Sequence, residues 1–148
     1  MGDGPAVWVD DLVTTVCWRL LAAQSIGRLA FVTDGIPRVY PVNHRADGES
    51  IVFRTAHDAA VGELIGGPLV AFEVDGADSA AETGWSVLAS GHLEAIEDDT
   101  TIGELAALNV HTWSPGKDRW VRLRPQEISG RAISRRRDAD GRLVPYSP

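Results

Sequence analysis

Cysteine is nearly absent: Cys17 is the only one in 148 residues. A lone thiol excludes an intrachain disulfide framework and fits a reducing compartment, so a cytoplasmic location is expected. Positive charge is also short, with 14 Lys and Arg against 21 Asp and Glu and a formal net charge of -7. That balance argues against broad binding to a nucleic-acid backbone, and no nucleic-acid partner is expected. No run approaches the ~18 apolar residues of a membrane-spanning helix. The acidic start "MGDGPAVWVDD" has neither the basic n-region nor the apolar core of a secretory signal, so no membrane partner is expected. There is no Walker loop and no G-x-G-x-x-G. His44, His57, His92 and His111 are scattered without metal-ligand spacing, so no metal is expected. No Ser-His-Asp signature and no paired carboxylates stand out, and no catalytic residue is assigned.

What is present is apolar and strand-forming. Hydrophobic residues make up 44% of the chain, enough for a proper core. The length predicts one domain over 1–148, with a short arm over 1–10 and a solvated tail from about 135. Apolar spacing predicts a helix over 11–23, with Asp11 or Thr14 available as its N-cap. "GRLAFVTDGIPRVYPVNH" reads as a hairpin turning at Asp34-Gly35, a type I′ signal. Asp47-Gly48 leads into a third strand, "SIVFRT". A short helix over roughly 58–65 would be capped by Asp58 and stopped by Gly66-Gly67-Pro68. "LVAFEVD" and "GWSVLASGHLEAI" are the fourth and fifth strands, and Gly91 marks a bulge or bend in the latter. On that fifth strand Trp85, Val87, Ala89, Gly91, Leu93 and Ala95 share one face, and Ser86, Leu88, Ser90, His92 and Glu94 share the other. Thr101 and Glu104 form a capping box opening a helix through about Leu108. "RWVRLRPQEISGRAI" is a final strand, with an edge or break at Pro125. About six strands joined by tight turns, with a few short helices, make a mainly β chain: an antiparallel barrel or sandwich.

Two stretches could carry chemistry. Arg54 and Thr55 close the third strand just before the short helix. A guanidinium, a hydroxyl and free helix-start N–H groups can grip a phosphate, and Arg54 can equally be an ordinary ion-pair partner. In "YPVNH", Pro41 interrupts a strand, so backbone groups near Val42 and Asn43 need partners that a ligand ring can supply. The five tryptophans, Trp8, Trp18, Trp85, Trp113 and Trp120, read as core packing or as walls around a flat ligand.

Taken in order, "LLAAQSIGRLAFVTDGIPRVYPVNH", "IVFRTA", "GGPLVAFEVD", "GWSVLASGHLEAI" and "WVRLRPQEISGRAI" resemble the pyridoxamine 5′-phosphate oxidase-like flavoproteins, in particular the small actinobacterial nitroimidazole-reductase-like branch. The resemblance covers about residues 20–133. It implies an antiparallel split β-barrel that forms a homodimer with flavin mononucleotide (FMN) at the subunit interface. Pro41, Val42 and Asn43 would then lie along the isoalloxazine, and Phe53, Arg54 and Thr55 would run towards the ribityl chain and phosphate. Trp85 and Ser86 would approach the partner's cofactor, and Trp120 would stand near the same crevice.

Relatives commonly carry a Thr and a Lys for the phosphate where this chain has Ala59 and Ala60. The resemblance therefore implies a weakened phosphate site, because losing one charge-assisted bond costs roughly 1.5–3 kcal/mol. Three functions are carried forward. One is an FMN-dependent oxidoreductase acting on a small molecule. Another is a non-catalytic protein that binds flavin, deazaflavin or another planar cofactor. The third is a cofactor-free dimeric interaction module.

Overall fold

The computed structural model describes residues 7–56, 59–135 and 139–140. Seven strands and two helices follow in the order β1 (Trp8–Asp11), α1 (Thr14–Ala23), β2 (Ile26–Thr33), β3 (Ile36–Asp47), β4 (Ser50–Thr55), β5 (Val70–Asp78), β6 (Thr83–Ile96), α2 (Asp99–Ala106) and β7 (Arg119–Ser134). The strands lie in the order β1-β7-β4-β3-β2-β5-β6, and β6 also pairs with β7. That last pairing closes β2 to β7 into a six-stranded antiparallel barrel, with β1 appended to the end of β7. The expected split β-barrel is the fold observed.

Local chemistry explains most of the connections. The β2–β3 hairpin turns through Asp34 and Gly35, whose φ values of 52° and 73° are the left-handed pair that a type I′ turn needs. The β6–β7 ladder shifts register between Ser90 and Gly91. A Cβ on Gly91 would overlap the carbonyl oxygen of Arg124, so only glycine fits the bulge. Pro125 pairs with Gly91 at this irregularity. It also lies between the part of β7 held by β4 (119–123) and the part held by β1 (131–134), where a missing N–H costs no ladder bond.

Four expectations are corrected. The residue preceding α1 in the cap position is Val13, without a side-chain cap bond, rather than Asp11 or Thr14. Asp11 is committed to β1, which occupies part of the stretch read as an arm. The cap of α2 is Asp98, whose carboxylate accepts from the Thr101 N–H at 2.7 Å; Thr101 itself lies inside the helix. Between β4 and β5 there is only a 3-10 turn over Ala60–Leu64, with Ala59 at its cap position and no side-chain cap bond. His57 and Asp58, the expected cap, lie outside the described residues.

The barrel interior is filled by β-branched and aromatic side chains around Phe53, Phe72, Leu29 and Leu123, and Cys17, Leu20 and Leu21 of α1 seal one end. His44 is completely buried there, with its Nε2 3.1 Å from the Leu21 carbonyl oxygen. A second, smaller cluster joins Val52 and Trp120 to Leu105 and Val110, packing α2 and the chain after it against the outside of β4 and β7. Both faces of β4 are therefore covered, and its sequence reads as a continuous apolar run up to Arg54. Among the described residues no helix is long and apolar enough to cross a membrane.

Candidate functional site

The site arises where β3 and β4 part. Their ladder ends at the pair His44 and Phe53. Continuing the register would set Asn43 against Arg54 and Val42 against Thr55, and neither pair forms. Instead, β2 holds residues 41–43 on one side, through Asn43↔Ile26, Val42↔Gly27 and Pro41↔Arg28. On the other side β7 holds Arg54 and Thr55, through Trp120 and Arg119. The facing edges carry backbone groups outside the ladder, where partners must come from elsewhere.

A cavity of about 160 Å³ opens in this gap. One wall is Tyr40 to Asn43 of β3, and the opposite wall is Phe53 to Ala56 of β4 with Ala59 to Val61 after it. The third wall comes from the segment between α2 and β7, which contributes His111, Thr112, Trp113 and Lys117. The Arg54 guanidinium carbon lies 5.5 Å from the centre of the Trp120 ring. Its Nε is buried without a hydrogen-bond partner, and no ion pair holds Arg54 among the described residues. Thr55 is buried beside it. The Trp113 and His111 rings meet edge to face at 5.9 Å, and Trp113 is 73% exposed.

Six of the residues expected from sequence thus share one cavity: Pro41, Val42, Asn43, Phe53, Arg54 and Thr55. Trp120 stands behind Arg54 and supports it rather than forming a wall. Trp85 is in the barrel core, so close to Gly76 that a Cβ there would sit 2.7 Å from the indole Nε1. Ser86 is exposed on the other face of β6. Neither borders the cavity of its own chain; the role that the resemblance implies for them concerns a partner's site.

Of the third wall, sequence reasoning offered only Trp113, as one of five tryptophans, and missed Lys117. Lys117 is the single lysine of the chain, two residues ahead of β7 and next to Gly116, whose φ of 79° makes a turn. That isolation was the available signal. Lys117 is half-buried, and no ion pair engages it among the described residues. No Asp or Glu among the described residues borders the cavity, although the chain holds 21 of them. Arg54 and Lys117 are the arginine and the lysine on the described lining of the cavity. Burial pushes the His44 imidazole below its ordinary value, a shift that the Leu21 carbonyl opposes and nearby Arg45 reinforces, so His44 is a neutral structural residue. Among the described residues no group of three His, Cys, Asp or Glu side chains is placed to hold a metal ion.

The sequence pattern of the pyridoxamine 5′-phosphate oxidase family matches residues 14–132. An uncharacterized protein of Mycobacterium tuberculosis is 30% identical over 118 residues, 76% of this chain and 77% of the relative. Among solved structures, the FAD binding protein from Mycobacterium smegmatis superposes with a TM-score of 0.73 at 29% identity, covering 84% of this chain and 98% of that one. A conserved protein of unknown function from Corynebacterium diphtheriae gives a TM-score of 0.70 at 29% identity over 84% of this chain and 97% of its own. With a match that spans most of the chain and a barrel of the same form, this protein belongs to the pyridoxamine 5′-phosphate oxidase family.

Proposed function

We propose that the protein binds a flavin nucleotide between β3 and β4, as a homodimer, and serves as a flavin-dependent oxidoreductase for a small molecule. The observation that carries this reading is the parting of β3 from β4, which sets an apolar strand wall opposite the half-buried Arg54. A flavin needs both, because a flat ring system is joined through a chain to a phosphate.

The residues present fit that need. Pro41, Val42 and Phe53 offer apolar surface, and Asn43 and the free strand edges offer hydrogen bonds to the ring. The unpartnered Nε of Arg54 and the Thr55 hydroxyl stand where an anion would complete them. When bound, the flavin supplies hydride or electron transfer. The chain's own task is to orient the ring, hold the phosphate and exclude water. The FAD-binding relative from M. smegmatis supports the cofactor class. FMN is the smallest member of that class with the required phosphate. The cofactor-free reading drew on Ala59 and Ala60, and a lysine in the same cavity weakens it.

Size and surface support the homodimer. Ligand sites usually enclose roughly 300–1,000 Å³. The 160 Å³ formed by one chain is too little for a flavin, so a second wall is needed. Val32, Ile36, Val39 and Leu69 are each more than half exposed, and Val32, Val39 and Leu69 line one apolar groove. Val39 is followed directly on β3 by Tyr40, which borders the cavity. A second copy seated on that groove would cover the exposed apolar side chains of β3 one residue away from the cavity wall.

Purified protein titrated with FMN and with FAD should show saturable quenching of flavin fluorescence, and reduced nicotinamide with a nitroaromatic or quinone should then be turned over. Failure to bind either flavin at high micromolar concentration would overturn the reading. Binding without turnover would leave a carrier or sensor in place of an enzyme.

A further inference from the structure

We propose that Lys117 is the second anion-binding group of this cavity, replacing from the α2–β7 segment the donors absent at Ala59 and Ala60. The inference rests on the flavin reading and deepens it. A phosphate would then be gripped between two separate elements, β4 through Arg54 and the α2–β7 segment through Lys117.

Three observations converge. Lys117 borders the same cavity as Arg54 and Thr55, and no carboxylate among the described residues borders it to neutralise either cation. The segment that carries Lys117 is anchored at both ends. Leu105 and Val110 are buried against Val52 and Trp120, and Arg119 is in register with Thr55 at the end of β4. Lys117, two residues before Arg119, is thereby kept beside the strand end where the anion is expected. Finally, Arg54 itself lines the cavity, and its buried Nε has no hydrogen-bond partner among the described residues. Arginine offers a flat two-pronged grip and lysine a compact charge on a flexible stem; together they suit the several oxygens of a phosphate better than either alone.

The test compares wild type, Lys117→Ala, Lys117→Arg and Arg54→Ala, each titrated with FMN, FAD and riboflavin, which lacks a phosphate. Lys117→Ala should weaken the phosphorylated flavins about ten-fold or more and change riboflavin by less than about two-fold, and Lys117→Arg should recover most of the loss. Because Lys117 is the single lysine, amine-directed labelling followed by mass spectrometry isolates it from the chain's N-terminus. FMN should slow that labelling and riboflavin should not. If Arg54→Ala weakens FMN while Lys117→Ala leaves it unchanged, the inference falls and the flavin reading stands. Equal losses for FMN and riboflavin would also overturn it, since Lys117 would then act on the ring or the fold. Wild type that binds no flavin would overturn both.

Discussion

The guanidinium of Arg54 lies 5.5 Å from the centre of the Trp120 indole, on the strand alongside and directly in register with it. Trp120 is itself buried against Leu105 and Val110, so the arginine rests on a fixed ring rather than in open water. A cation over an indole face is stabilised by about 0.5–2 kcal/mol depending on its exposure to solvent. The contact holds the charge at the cavity wall.

Replacing Arg54 with Ala should therefore lower affinity for FMN about ten- to 150-fold, the equivalent of one charge-assisted bond. Arg54→Lys should recover only part, because an ammonium cannot give a phosphate the two-pronged grip of a guanidinium. Trp120→Leu should weaken FMN while leaving riboflavin less affected, as a group that acts through Arg54. Fluorescence titration separates these cases, and unchanged affinity in Arg54→Ala would place the phosphate elsewhere.

Gly91→Ala should destabilise the barrel without touching the cavity. The added methyl would collide with the Arg124 backbone carbonyl at the bulge, and neither strand can move without breaking the β6–β7 ladder. Overpacking of this kind costs about 1–3 kcal/mol, or several degrees of melting temperature for a domain of this size. Urea denaturation of the two proteins is the measurement. Equal midpoints would show that the bulge can relax.

Acid should weaken the fold through His44. Its folded value lies below the ordinary one because burial disfavours the charged ring. As pH falls through about 6.5 the unfolded chain takes up this proton first, so it binds more protons than the folded chain. Stability rises with pH in that window, is fully present above it, and is lost as pH falls towards the folded value. His44→Gln, which retains a donor for the Leu21 carbonyl, should be less stable at neutral pH and should lose less of its stability on acidification. Unfolding midpoints between about pH 5 and pH 8 test the slope.

Val39→Glu should disrupt the proposed dimer. The side chain is 60% exposed in the apolar groove, so a carboxylate there costs the single chain little but would be buried unpaired against a partner. Sedimentation should show a shift to monomer, and flavin affinity should fall with it. A wild-type chain that is already monomeric at micromolar concentration would refute the shared site.

Much of this was legible in the sequence because the physics is local. Asp34-Gly35 makes its turn through two adjacent backbone angles, and Gly91 announces a close approach by lacking a side chain. The alternation from Trp85 to Leu93 separated the two faces of β6, and the structure buries the face that carries Trp85. Helix caps were less legible. Asp98, Thr101 and Glu104 recur at three-residue steps, so two cap pairings fit the same string. The packing of Leu105 and Val110 on Trp120 accompanies the earlier start at Asp98.

By itself the sequence determined an antiparallel, mainly β chain, and its resemblance to a known family implied the barrel; two of the three cavity walls were legible because "YPVNH" and "SIVFRT" belong to consecutive strands joined by a tight turn. Only the tertiary structure decided that these strands part after His44 and Phe53, that Trp85 fills the core, and that Lys117 joins Arg54 across about sixty residues of chain. Strand pairing is encoded in short patterns of alternating side chains. That a lone lysine and a distant arginine border one cavity depends on barrel closure and on α2 packing against β7, and no spacing along the chain records it.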